Sequence, residues 1–222
     1  RVSQAKLEKS FEGHECTYSF ELSSGLPTDP EYDRVRALAE KLNPDVICAV
    51  GGGGIIDICR SAAMKLGKVI VVIPTTVASD AACTNVCIHY SDDCSQVINA
   101  DIFHKGPDMV YVDSTIIAEA PMRQLASGIG DALATYYEAY TCRNNGVEQY
   151  GGLNITYTAV ELSRICRDIL LEYGQHAAMA CENNIVTPAL ENVIEACAML
   201  SGVGGLNSGC AGAHGFGDFL SS

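Results

Sequence analysis

Between residue 16 and about residue 120, short apolar stretches alternate with longer runs of helical spacing. "CTYSFEL" (residues 16–22) alternates polar and apolar positions, which predicts a strand. "DPEYDRVRALAEKLN" (29–43) opens on acidic residues and then places Val35, Leu38, Ala39 and Leu42 on one helical face. "DVICAV" (45–50), "KVIVVIP" (68–74) and "DMVYVD" (108–113) are nearly unbroken apolar runs. Such runs predict strands of a parallel sheet covered on both faces. A helix over residues 55–66 separates the first two. After residue 120 the strand signals stop, and residues 121–142, 151–174, 187–204 and 208–222 all read as helices punctuated by Gly or Pro. The third of these has a defined start: Thr187 as N-cap, Pro188 at the first helical position and Glu191 within the first turn. The pattern predicts an α/β domain over residues 1–120 followed by an all-helical domain over residues 121–222.

Composition narrows the field. With 222 residues, 48% of them hydrophobic, the chain can bury a sizeable core. A net charge of −13 and a pI near 4.6, with no Lys/Arg cluster, exclude a phosphate-backbone partner and predict no nucleic-acid binding. The apolar runs are of strand length and the N-terminus has no apolar leader core, so no membrane association is expected. Eleven cysteines without a C-x-x-C pair, several inside apolar patterns (Cys48, Cys59, Cys166, Cys197), predict reduced thiols and a cytoplasmic setting. The chain opens without Met and closes within a helical pattern, so it is expected to be an internal portion of something longer.

Four stretches carry candidate chemistry. Gly51 to Gly54 follow an apolar strand and precede a helix, the arrangement in which free helix N–H groups meet a phosphate. The glycines lack G-x-G-x-x-G spacing and any G-K-[ST], so a tight packing turn is the alternative. Asp57, just beyond them, reads either as a dipole partner or as a polar anchor in a crevice. "PTTVASDAACT" (74–84) stands at the carboxyl end of a parallel strand, where open α/β sheets bind ligands. It offers Thr75, Thr76, Ser79, Asp80 and Thr84, or is simply a solvated loop. Asp131, after Gly-Ile-Gly, reads as a helix cap or as a carboxylate aimed into a cleft from a helix start. His214 lies among Ala and Gly, either as a core group or as an unobstructed ligand. The pattern alone gives a nucleotide-binding α/β domain plus a helical domain.

"GGGGIIDICR" (51–60), "PTTVASDAACTNVCIHY" (74–90), "GPDMVYVDSTIIAEAPMRQLASGIGDALATYYEA" (106–139) and the pair "NIVTPALENVIEACAMLSGVGG" and "GAHGFGD" resemble, in order and spacing, the glycerol dehydrogenases. Those belong to the metal-dependent, iron-containing alcohol dehydrogenase superfamily. The resemblance implies a Rossmann-like domain followed by a helical one, and NAD-dependent oxidation of glycerol to dihydroxyacetone. It implies cofactor contacts at Gly53, Gly54, Asp57, Thr75, Thr76, Val77, Ala78, Thr84, Val86 and Tyr90, and substrate contact at Asp80. It also implies that Asp131 and His214 act catalytically as two of three ligands to a divalent metal, zinc in most such enzymes and iron as the other option. The metal would lower the pKa of a coordinated hydroxyl, and hydride would pass to the nicotinamide. The implied partners are a small polyol substrate and further copies of the chain.

Three features depart from the family pattern. Gly54 and Ile55 stand where a Lys and a Thr are common, "ASDAAC" replaces "STDAPC", and the third metal ligand would be a histidine beyond Ser222. Two alternatives therefore accompany the main expectation: a relative acting on short 2-oxo acids or other vicinal diols, and a truncated, non-catalytic nucleotide-binding or oligomerising relative.

Overall fold

The computed structural model describes residues 2–148 and 152–220. A first helix, α1 (Val2–Phe11), leads into an extended segment that makes no strand ladder. The strand expected over residues 16–22 is absent: no described strand pairs with it, so the alternating residues stay exposed, including Tyr18, Phe20 and Leu22. Helix α2 (Asp29–Leu42) matches its pattern, with Pro in its first turn and Asn43 closing it in the left-handed region. The β–α–β unit follows as β1 (Val46–Gly51), α3 (Gly53–Leu66) and β2 (Val69–Pro74), and α3 ends on Gly67 at a φ of 64°.

The sheet has order β1-β2-β5, all parallel, where β5 is Met109–Val110. Between β2 and β5 the chain inserts an antiparallel hairpin, β3 (Val86–Tyr90) with β4 (Val97–Ile102), which the sequence pattern did not predict. Stacking of His89 on Tyr32 and the Tyr32 hydroxyl bond to Ile88 C=O fasten the hairpin to α2. Coverage of the sheet is uneven. Ile70 and Val72 are fully buried, whereas Val46, Cys48, Val69 and Met109, which the pairing register places together on the opposite face, are exposed. The expectation of a sheet covered on both faces therefore fails at these positions of one face, and Cys48 is not a core thiol.

Among the described residues, the named elements that follow are all helical: α4 (Ser114–Ala118), α5 (Met122–Asn144), α6 (Tyr157–Glu182), α7 (Pro188–Glu195), a π-helical segment (Ala196–Ser201), α8 (Gly202–Leu206) and α9 (Gly212–Leu220). Thr187 Oγ1 accepts the Leu190 N–H, so the predicted cap of α7 is present. Helix α6 starts later than expected, capped by Thr156, and runs through Gly174 to Glu182. The expected start at Gly151 and the last two residues of the chain, 221 and 222, lie outside the described residues. The stretch Pro188–Leu206 is long and apolar enough to cross a membrane, but it packs into the core against α6. The main core is continuous across residue 120, joining Ala49, Ile70 and Val72 to Leu125, Cys166, Leu190 and Val193.

Candidate active site

The carboxyl ends of β1 and β2 carry the glycine turn and the loop over residues 75–85. Each glycine faces something close. A Cβ on Gly53 would lie 3.1 Å from Ser79 Oγ, and one on Gly54 only 2.3 Å from Gly25 C=O. The turn is thus wedged between the Gly25 segment and the second loop, while Thr75 N–H bonds back to Gly51 C=O. The N-terminus of α3 has no side-chain cap, leaving its first N–H groups without one. Beside it, Thr76 Oγ1 is buried without a hydrogen-bond partner. An uncapped helix start, a glycine turn and an orphan hydroxyl fit a phosphate-bearing cofactor such as NAD.

Asp57 and Arg60 organise this region from beneath. Asp57 is buried; its Oδ1 pairs with Arg60 at 3.0 Å and its Oδ2 accepts the Ile88 N–H. The side chain thus points into the hairpin. Burial pushes its pKa up to about 6, against the pull of Arg60. Arg60, completely buried, also donates to Thr84 Oγ1 and to the carbonyls of Val86 and Ala81. One guanidinium therefore holds Thr84 and Val86, two of the expected cofactor positions, in place. Val77 is buried, Ala78 partly so, and Tyr90 N–H bonds Pro27 C=O. Nothing in the sequence pattern had singled out Arg60, although an arginine on an otherwise apolar helical face was the available signal.

The second group gathers around Asp80. Its backbone N–H donates to Asp131 Oδ2 at 3.1 Å, and its Oδ2 accepts from Ser201 Oγ at 3.3 Å, which in turn lies 2.8 Å from Thr135 Oγ1. Burial, and then the charge of Asp131, push the Asp80 carboxyl up to about 7. Asp131 is not at a helix start, as expected, but in the middle of α5. Gly128, one turn earlier, does not end the helix; a Cβ there would sit 1.7 Å from Val77 C=O. That bare spot lets α5 touch the second loop, and the same helix face then offers Asp131, Thr135 and Glu138 at i, i+4 and i+7 spacing. The π-helical segment ends on Ser201 and aims its hydroxyl at Asp80.

His214, on α9, completes the group. Its Nε2 lies 3.5 Å from Asp131 Oδ1, and its Nδ1 is 2.5 Å from Glu138 Oε2. Hydrogen bonds to Asp131 first, and also to Cys210 and Glu138, hold the imidazole pKa well above its ordinary value. A separation of 3.5 Å is close to the roughly 3.3 Å edge between two ligands of a tetrahedral zinc ion with 2.0–2.1 Å bonds. One carboxylate oxygen and one imidazole nitrogen, facing each other across that gap, therefore fit a divalent metal. The sequence reading missed Thr135, Ser201 and Glu138. For Glu138 the signal was its place seven residues after Asp131.

The sequence profile of the iron-containing alcohol dehydrogenases matches residues 3–114, and the chain belongs to that family. Within it, the chain is 38% identical over 212 residues to a glycerol dehydrogenase of Escherichia coli O6:H1, spanning 96% of this chain and 58% of that protein. The crystal structure of a probable glycerol dehydrogenase from Sinorhizobium meliloti 1021 superposes with a TM-score of 0.90 at 36% identity, covering 93% of this chain and 58% of the other. Glycerol dehydrogenase from Schizosaccharomyces pombe gives 0.91 at 30% identity, covering 99% and 55%. The chain thus spans somewhat more than half the length of these relatives. The fold is the mixed α/β type of these neighbours, a Rossmann-like portion followed by helices.

Proposed function

We propose that the protein oxidises glycerol to dihydroxyacetone, with transfer of hydride to NAD and release of a proton, and that it requires a divalent metal, zinc in the first instance. One observation carries the reading: the glycine turn and the Asp80–Asp131–His214 group are a single construction. Ser79 and Ala81 pack on Gly53 while Asp80, between them, donates its N–H to Asp131. A nicotinamide cofactor anchored at α3 and a substrate at Asp80 are therefore neighbours. The similarity to glycerol dehydrogenases supports glycerol as that substrate.

In this arrangement Asp131 and His214 would hold the metal, whose chemistry is to acidify a substrate hydroxyl and polarise its oxygen. Asp80, its carboxylate fixed by Ser201 and Thr135, accepts a hydrogen bond from another hydroxyl and orients the carbon that loses hydride. Arg60 keeps the cofactor loops in register. The test is NADH and dihydroxyacetone formation from glycerol by the complete protein. Expected is loss of activity on thorough chelation, recovery with zinc, and no recovery in Asp131→Asn. Activity undiminished after metal removal overturns the proposal. Reduction of a short 2-oxo acid in strong preference to glycerol oxidation moves the substrate assignment to the alternative.

A further inference from the structure

Glu138 makes three hydrogen bonds beside the site, and neither the sequence pattern nor the proposed chemistry gives it a part. Its side chain is 5% exposed. Oε1 accepts two backbone N–H groups at the start of α9, from Ala211 at 3.0 Å and His214 at 2.9 Å, while Oε2 faces His214 Nδ1. A single carboxylate on α5 therefore caps α9 and grips the ring that α9 carries.

We propose that Glu138 is a positioning residue for His214: it fixes the imidazole with Nδ1–H pointing at Glu138 and Nε2 pointing at Asp131. This rests on the metal reading of the preceding section. A carboxylate can only accept, so Nδ1 keeps its proton, and Nε2, which faces the Asp131 carboxylate, is the nitrogen that can give up its own proton to bind a metal. Outer carboxylates of this kind fix tautomer and orientation and raise ligand basicity. Glu138, Cys210 and His214 also place ligand atoms within 4.8 Å of one another, which raises the possibility of a metal there instead. Against that, Oε2 and Nδ1 are only 2.5 Å apart, a hydrogen-bond separation well inside the roughly 3.3 Å edge of two zinc ligands. Oε1 is already occupied by two N–H groups. The cluster is a support for the site, not a second site.

The variant Glu138→Gln separates support from capping. Its amide oxygen still accepts the two backbone N–H groups, but its NH2 faces Nδ1, which drives the ring proton onto Nε2. The experiment is competition for zinc between the complete protein and a chromogenic chelator, with melting curves of the metal-free forms. Expected is zinc affinity about 10–100-fold weaker in Glu138→Gln, with a metal-free melting temperature near that of the wild type, and unchanged affinity in Cys210→Ser. Glu138→Ala, which loses the cap as well, melts lower. Wild-type affinity in Glu138→Gln overturns the proposal, as does a melting temperature fallen to that of Glu138→Ala, which would leave only the cap. Loss in Cys210→Ser equal to that in Glu138→Gln also overturns it, in favour of the Cys-containing cluster. If the wild type holds zinc no tighter than Asp131→Asn, the metal reading has failed and this inference falls with it, whatever the Gln variant does.

Discussion

The two halves of the site are specified in opposite ways. On the sheet side, shape comes from what is missing: Gly53, Gly54 and Gly128 are places where a Cβ would meet Ser79, Gly25 or Val77. The polar groups offered there are mostly backbone, with one buried arginine holding the loops. On the helical side, geometry comes from what is present: Asp131, Thr135 and Glu138 on one face of α5, and His214 brought to them by α9. Where the glycine meets backbone, as Gly54 and Gly128 do, a substitution forces the backbone to move, and its effect is felt first in stability. A carboxylate–imidazole group tolerates isosteric exchange in the fold and registers it in ligand affinity.

Gly128 tests that contrast most severely, because it is the point where the helical side rests on the loop side. In Gly128→Ala the new methyl lies 1.7 Å from Val77 C=O, and the obstacle is backbone. Either α5 or the loop over residues 75–85 must retreat. The expected cost is about 3 kcal/mol, read as a lowered denaturation midpoint, with cofactor affinity falling as well. A variant that melts with the wild type would show that the two sides are not locked together here.

A middle-sized effect is expected at the segment that braces the glycine turn from the outside. Glu31 accepts from Ser23, from Ser24 N–H and from two nitrogens of Arg34, and so holds the chain on either side of Gly25. The Arg34 guanidinium first, and then the serine donors, hold the Glu31 carboxyl down to about 2. Its folded pKa lies below its unfolded value, so the folded state binds fewer protons between the two. The stability it supplies is complete above about pH 4.5 and is lost as the pH falls towards 2. Allowing for the half-exposed arginine, the contribution is about 2 kcal/mol. Acid unfolding of Glu31→Gln should start from a lower plateau and show a shallower loss below pH 4.5. Superimposable acid-unfolding curves would remove Glu31 from the account.

The contrast also explains which parts were legible. The strand–glycine–helix unit and the Thr187–Pro188 cap are local statements, and both are present as read. "CTYSFEL" is locally a strand too, but a ladder needs a partner and no described strand supplies one. The β3–β4 hairpin was illegible for the converse reason: Asn99 and Asp101 are poor strand formers, and pairing with Val86 to Tyr90 holds them there. Gly128 and Gly130 suggested a helix beginning at Asp131, yet each costs a helix only about 1 kcal/mol, and α5 packing outweighs that. The roles of Glu138 and Ser201 depend on residues 76 and 121 positions away, and no local pattern carries them.

The smallest change should sharpen the comparison most, because it separates stability from binding at one atom. Thr76 Oγ1 is buried and unpartnered, while the methyl of the same side chain faces Gly52. Thr76→Val keeps the methyl contact and removes the orphan hydroxyl. If that hydroxyl serves only the fold, its removal relieves a desolvation cost and nothing else, and the protein gains about 1 kcal/mol. If it waits for a cofactor oxygen, the same gain in the cofactor-free protein accompanies a loss of one hydrogen bond on binding, about 5–10-fold in NAD affinity. Melting curves without cofactor and an NAD titration by nicotinamide-quenched tyrosine fluorescence or calorimetry give both numbers on one sample. Stability raised with NAD affinity intact would mean that Thr76 shapes the loop without touching the cofactor, and that the phosphate-facing groups on this side of the site are backbone alone.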